Sequence, residues 1–125
     1  MTSGLWIVVT GGGTGIGRAF VKHFSETHKI LICGRRLEPL EETKTLSDNP
    51  DNVRIVQADI AQESDRRRFV RSLPKDAGVA LLVQNAAIGD PDRLPDVDVA
   101  HLELALQVNL IAPLALTQAL LPALV

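Results

Sequence analysis

One cysteine, one tryptophan, three phenylalanines and no tyrosine occur in the 125 residues. A lone Cys33 cannot form a disulfide within the chain, which fits a reducing compartment, and a cytoplasmic location is expected. A strong charge of one sign is also missing. The net charge is −2, and the one basic run, Arg66-Arg67-Arg68, is short. It reads as the solvated face of a helix, so no nucleic-acid partner is expected. No uninterrupted apolar run reaches membrane-spanning length. The stretch from Leu110 to Val125 is nearly all apolar but carries Pro113, Thr117, Gln118 and Pro122, and it reads as a buried helix rather than a span. Met1 to Gly4 has no basic side chain, and Leu5 to Val9 is too short for a signal core, so no targeting segment is expected.

Several kinds of chemistry lack their residues. None of Ser3, Ser25, Ser47, Ser64 and Ser72 sits in a Gly-x-Ser-x-Gly turn, which argues against a serine nucleophile of that type. His23, His28 and His101 lack metal-ligand spacing with Cys33 or with one another, so no metal site is expected. The carboxylates are scattered over predicted helix faces and loops.

What is present describes an α/β domain. A hydrophobic fraction of 46% against 22% charged residues is ordinary for a globular chain. Four strand-length runs stand out: Leu5-Trp-Ile-Val-Val-Thr10, Lys29-Ile-Leu-Ile-Cys33, Asn52-Val-Arg-Ile-Val-Gln57 and Val79-Ala-Leu-Leu-Val83. The first, second and fourth are apolar throughout, as strands covered on both faces are. The third alternates, with Val53 and Ile55 on one face, and is expected nearer an edge. Helical patterns separate them. Ile16, Ala19, Phe20 and Phe24 mark an apolar stripe. Leu37 to Leu46 forms a charged helix with Pro39 in its first turn, and Gln62 to Leu73 forms another with Phe69, Val70 and Leu73 inward. After a loop over Gly89 to Asp98, a long helix is predicted from about Val99 to the end. Right-handed crossovers turn this βαβαβαβα order into a doubly wound, Rossmann-like parallel sheet of strand order 3-2-1-4. Ligands of such sheets bind where the winding reverses, between the carboxyl ends of strands one and four.

Thr10-Gly11-Gly12-Gly13-Thr14-Gly15-Ile16-Gly17 joins the first strand to the first helix. Glycines allow a tight turn, close approach of a pyrophosphate and close packing of helix on sheet. The helix N-terminus then offers free N–H groups to phosphate oxygens.

The spacing Thr-Gly-x-x-x-Gly-x-Gly, met here as Thr10, Gly11, Gly15 and Gly17, resembles the short-chain dehydrogenase/reductase family. Asp59-Ile60 after the third strand resembles the family's Asp near the adenine. Asn85-Ala86-Ala87 resembles its Asn-Ala-Gly, and Asn109 its helical catalytic Asn. The resemblance covers the whole chain. It implies an oxidoreductase acting on a carbonyl or alcohol, with cofactor contacts at Gly11, Gly13, Thr14, Gly15, Ile16, Gly17, Arg35, Arg36, Asp59, Ile60, Asn85, Ala86 and Ala87. Ala87 departs from the pattern, and a positive φ there would cost about 1 kcal/mol. Versions of the fold that bind NAD(H) place an acid at the end of strand two. Here Gly34-Arg35-Arg36 stands instead, and a guanidinium suits a 2′-phosphate, so NADP(H) is expected over NAD(H).

In the family, proton transfer belongs to a Ser and a Tyr-x-x-x-Lys. This chain has no Tyr, and its last Lys is Lys75. Residues 1–125 are therefore expected to be an incomplete dinucleotide-binding domain, truncated before the catalytic group. Either a homo-oligomer through the 99–125 helix or a second chain is expected to cover the apolar end. Pro113 cannot donate to the Asn109 carbonyl, so a kink and a free acceptor are expected there. The resemblance implies that this carbonyl holds a water linking the catalytic Lys to solvent. The alternative reading is a non-catalytic nucleotide-binding or interaction module.

Overall fold

In the computed structural model, which describes residues 4–89 and 92–125, four parallel strands lie in the order β3-β2-β1-β4. The strands are β1 (Leu5–Thr10), β2 (Lys29–Gly34), β3 (Val53–Gln57) and β4 (Gly78–Gln84). Between them run α1 (Gly15–Phe24), α2 (Leu37–Leu46) and α3 (Glu63–Arg71). Beyond β4 come α4 (Val99–Leu106) and α5 (Ala112–Leu120), joined by a π turn over Gln107–Ile111. This is the Rossmann-like order expected from the sequence.

The two-residue period of a strand divides the apolar runs between two cores. Trp6 and Val8 of β1 join Leu31 and Cys33 of β2 on one face, under Phe69, Val108, Ala112, Leu116 and Leu120. Ile7 and Val9 join Ile30 and Ile32 on the other, under Val21 of α1 and Leu40 of α2. Both central strands are thus covered twice, which is why they show no polar alternation. β3 does lie at an edge, with Val53 buried and Arg54 exposed.

Four expectations need correction. The α1 stripe is shifted: Ile16 is 79% exposed and Ala19 is also exposed, whereas Gly17 and Val21 face the sheet. The closest approach is made by a residue with no side chain, so hydropathy cannot mark it. Second, the α3 helix ends at Arg71, and Leu73 packs on the core from beyond it. Third, the last helix stops at Leu120. Pro122 has no N–H to extend it, and the chain turns to pair with the outer edge of β4. The Val79 N–H donates to Ala123 O at 2.7 Å, and the Val125 N–H donates to Val79 O at 3.1 Å.

Fourth, α4–α5 is not buried all round. Val108, Ala112, Leu116 and Leu120 pack on the sheet and Ala105 is buried, while Leu102, Leu106, Leu110 and Leu114 are exposed. Only one side of the helix has sheet beneath it. The continuous run Val99–Leu120 is 22 residues long and contains an 18-residue stretch of mean hydropathy 1.5, long and apolar enough to cross a membrane by length and composition. In the fold its small and branched stripe is docked on β4. Of the loop predicted over Gly89 to Asp98, Asp90 and Pro91 lie outside the described residues, as do Met1, Thr2 and Ser3. Leu94–Asp96 forms a 3-10 turn, and the Asp98 carboxylate caps α4 by accepting the Ala100 N–H at 2.9 Å.

Candidate functional site

The glycine turn leaves β1 with its first two amides already used. The N–H groups of Gly11 and Gly12 both donate to Cys33 O, at 3.0 and 3.1 Å. Gly11 and Gly15 have φ of 69° and 56°, a backbone that a side chain would strain. The next four amides, of Gly13, Thr14, Gly15 and Ile16, find no acceptor among the described residues. Thr14 occupies the N-cap position of α1 in extended conformation, but its side chain makes no cap bond, and no acid lies in the first turn. The helix therefore begins with open donors and an unanswered positive dipole end, the arrangement that receives an anion.

The end of β4 is tied to this turn. Thr10 Oγ1 accepts the N–H groups of Asn85 and Ala86 at 3.1 and 3.0 Å. Asn85 Nδ2 donates to Gly11 O at 3.1 Å, so its side chain bridges the two strand ends. Ala86 and Ala87 have negative φ, so the strain anticipated for Ala87 does not arise. One step on, Asn109 holds Ile88 by both backbone groups: Nδ2 donates to Ile88 O at 2.6 Å, and the Ile88 N–H donates to Oδ1 at 2.9 Å. The helix around Asn109 is not regular. The Ala112 N–H reaches back to Gln107 O, a π turn placed just before the proline that has no N–H for Asn109.

The ends of β2 and β3 form the opposite wall. Gly34 O accepts from the Ala58 N–H at 2.9 Å. Gln57 Nε2 donates to Arg35 O at 3.0 Å, which fixes the backbone of the two arginines. The Arg35 and Arg36 side chains are exposed, and neither makes an ion pair among the described residues. Asp59 accepts the Ala61 N–H at 3.0 Å, while its own N–H donates to Asp65 at 2.8 Å. The basic run behind it is committed to this chain. Arg66 donates to Ile60 O, Arg67 pairs with Glu63, and Arg68 donates to Gln57 O.

These three groups enclose one cleft of about 360 Å³ at the carboxyl ends of the strands. It is lined by Gly11, Gly13, Thr14, Gly15, Ile16, Arg35, Arg36, Asp59, Ile60, Asn85, Ala86 and Ala87. Two of the residues proposed from sequence stand apart from it. Gly17 lies beneath the turn, where a β-carbon would come within 2.2 Å of Gly11 O. Asn109 acts behind the wall, through Ile88. Sequence reasoning missed Cys33, Pro39, Ala58, Ile88 and Val108 among the lining residues. They are apolar and carry no motif, so only the fold reveals them. Burial pushes the Cys33 thiol up to about 12, with a backbone hydrogen bond from Gly11 opposing. It is a floor residue and no nucleophile at neutral pH.

A parallel sheet of order β3-β2-β1-β4 wound in both directions, with open helix amides at the reversal, defines a Rossmann-like α/β domain. The family follows from comparison: the model for short chain dehydrogenases matches residues 5–125, and the chain belongs to that family of oxidoreductases. It is 41% identical over 91 residues to the short-chain dehydrogenase/reductase PhomF of Diaporthe leptostromiformis, covering 71% of this chain and 31% of that protein. It superposes with a TM-score of 0.86 and 28% identity on 3-ketoacyl-(acyl-carrier-protein) reductase from Brucella melitensis complexed with NADH, covering 98% of this chain and 51% of the other. With NADPH-bound carbonyl reductase from chicken fatty liver the TM-score is 0.82 at 25% identity, over 94% and 50%. The chain thus spans about a third of PhomF and half of these solved chains. The family binds a nicotinamide cofactor, and these two neighbours hold one of each type.

Proposed function

We propose that this chain is the cofactor-binding portion of an NADP(H)-dependent oxidoreductase acting on a carbonyl or alcohol. The observation that carries the cofactor choice is at the end of β2. Gly34 offers no carboxylate to a ribose 2′-hydroxyl, and Arg35 and Arg36 line the cleft with no ion-pair partner among the described residues. Bidentate donors without a counter-charge suit a 2′-phosphate. The cradle fits the rest of the cofactor. Gly13, Thr14, Gly15 and Ile16 present open amides to a pyrophosphate, and Asp59 and Ile60 would flank the adenine. Asn85, Ala86 and Ala87 hold the wall at the other end. When bound, the nicotinamide gives or takes the hydride.

Within these 125 residues no tyrosine is available to move the accompanying proton. Asn109 takes part through its position. Its side chain sets Ile88 at the cleft, and its carbonyl has lost the proline as a donor. Turnover by the family's route therefore requires a tyrosine that these 125 residues do not hold. The exposed leucines of α4–α5 are the surface through which a second copy would pack. Titration calorimetry of the full protein and its Arg35→Ala variant with NADPH and NADH tests the cofactor reading. Equal losses for both nucleotides would overturn it.

A further inference from the structure

The amides that face the cleft belong to peptide units whose carbonyls are held from behind. Thr43 of α2 is buried, and its Oγ1 lies 2.8 Å from Gly12 O. The same hydroxyl oxygen accepts from Arg18 Nε at 3.0 Å. Arg18 Nη2 donates to Gly13 O and to Pro39 O, and pairs with Glu42 at 3.3 Å. Two side chains from two helices thus hold two consecutive carbonyls of the glycine turn. A hydroxyl has one proton, and Thr43 also lies 3.0 Å from Pro39 O, its own helix's i−4 carbonyl. With the Arg18 Nε donor on its oxygen, the hydroxyl remains free to donate, and the acceptor at 2.8 Å is Gly12 O.

In a trans peptide the C=O and the following N–H point in opposite directions. Holding Gly12 O and Gly13 O toward α2 therefore turns the N–H groups of Gly13 and Thr14 away from it. These are two of the open amides, and both residues line the cleft. No other hydrogen bond among the described residues holds those two peptide planes. Gly12 and Gly13 have no side chains, and Thr14 makes no cap bond. The turn would otherwise be free to rotate its amides, since glycine resists rotation weakly. Glu42 balances much of the Arg18 charge, so the guanidinium serves here as a planar fork.

We infer that Arg18 and Thr43 are positioning residues for the pyrophosphate site: they set the orientation of the Gly13 and Thr14 amides from behind the turn. This rests on the nucleotide reading above. It also makes α2 part of the phosphate site, although no residue of α2 after Pro39 reaches the cleft.

The test is an NMR titration of the full protein with ADP-ribose, which carries the pyrophosphate, and with adenosine, which does not. Thr43→Val keeps shape and removes the hydroxyl. Arg18→Lys keeps charge and removes the fork. Each is expected to weaken ADP-ribose about ten-fold, the worth of one or two hydrogen bonds, and to leave adenosine within about two-fold. Thr43→Ser is expected to restore wild-type affinity. Should Thr43→Val fail to fold, Arg18→Lys and Thr43→Ser carry the comparison. Unchanged ADP-ribose affinity in folded variants, or equal losses for both ligands, would overturn this inference alone. A wild-type protein that binds no ADP-ribose would overturn the nucleotide reading with it.

Discussion

Gly17 lies so close beneath Gly11 that a β-carbon on it would stand 2.2 Å from the Gly11 carbonyl oxygen and 2.8 Å from Asn85 Nδ2. The first contact is with backbone, which cannot swing aside. Gly17→Ala gains helix propensity of about 1 kcal/mol but meets an overpacking penalty that exceeds it. A net loss of about 2 kcal/mol or more is expected in urea unfolding. Ala at Gly89, where nothing lies within 4 Å, is the control and should be near neutral.

Arg35→Ala removes a charged donor that has no ion-pair partner among the described residues. NADPH binding should weaken by about 1.5–3 kcal/mol, the range for a charge-assisted hydrogen bond, and NADH binding should change little. Placing an acid at Gly34 is a harder route to NADH, because a β-carbon there already comes within 3.2 Å of Leu40 Cδ2.

Asn109 makes two hydrogen bonds to the backbone of Ile88, both at exposed positions. Water can replace them, so Asn109→Ala should cost only about 1 kcal/mol of stability. Its larger effect should be on order. Hydrogen exchange at the Ile88 amide is expected to quicken many-fold in the variant while amides of β1 keep their protection. Unchanged exchange at Ile88 would show that the clamp is not needed to hold this wall.

Cys33 gives a pH dependence of known sign. Its thiol is pushed up from 9.0 to about 12 by burial, against a backbone hydrogen bond from Gly11. Above pH 9 the unfolded chain loses a proton that the folded chain keeps, so stability falls as pH rises toward 12. The slope is about 1.4 kcal/mol per pH unit. Urea unfolding at pH 8 and pH 10 should show this loss, and Cys33→Ala should lack it.

Leu102, Leu106, Leu110 and Leu114 follow one another at four-residue steps and are 46%, 50%, 60% and 58% exposed. This exposed apolar stripe is the surface proposed above for packing a second copy. Sedimentation velocity should show self-association, and Leu110→Glu should shift the protein toward monomer with its circular dichroism intact. A monomeric wild type would refute the proposed packing of two copies through this stripe.

Much of this site is legible in the sequence. Apolar runs without alternation placed β1 and β2 in the interior of a parallel sheet. The glycine spacing marked the turn and the reversal point, and Gly34-Arg35 raised the cofactor question, because these signals depend on local backbone needs and on residue type. What spoke through the absence of a side chain, or through a shared hydroxyl, was not legible. The α1 stripe was misplaced because its closest contact is Gly17. Arg18 and Thr43 lie 25 residues apart with no pattern between them. Their partnership needs α1 and α2 to pack side by side.

The sequence by itself determined the order of elements, the parallel sheet and the open amides at the first helix, since hydrophobic period and glycine conformation are local properties. Only the tertiary structure decided which face of α4–α5 is covered, that residues 123–125 turn back to pair with Val79, and which groups hold the glycine turn from behind. Those outcomes depend on what lies across a gap from each residue, and a chain fixes that only by folding.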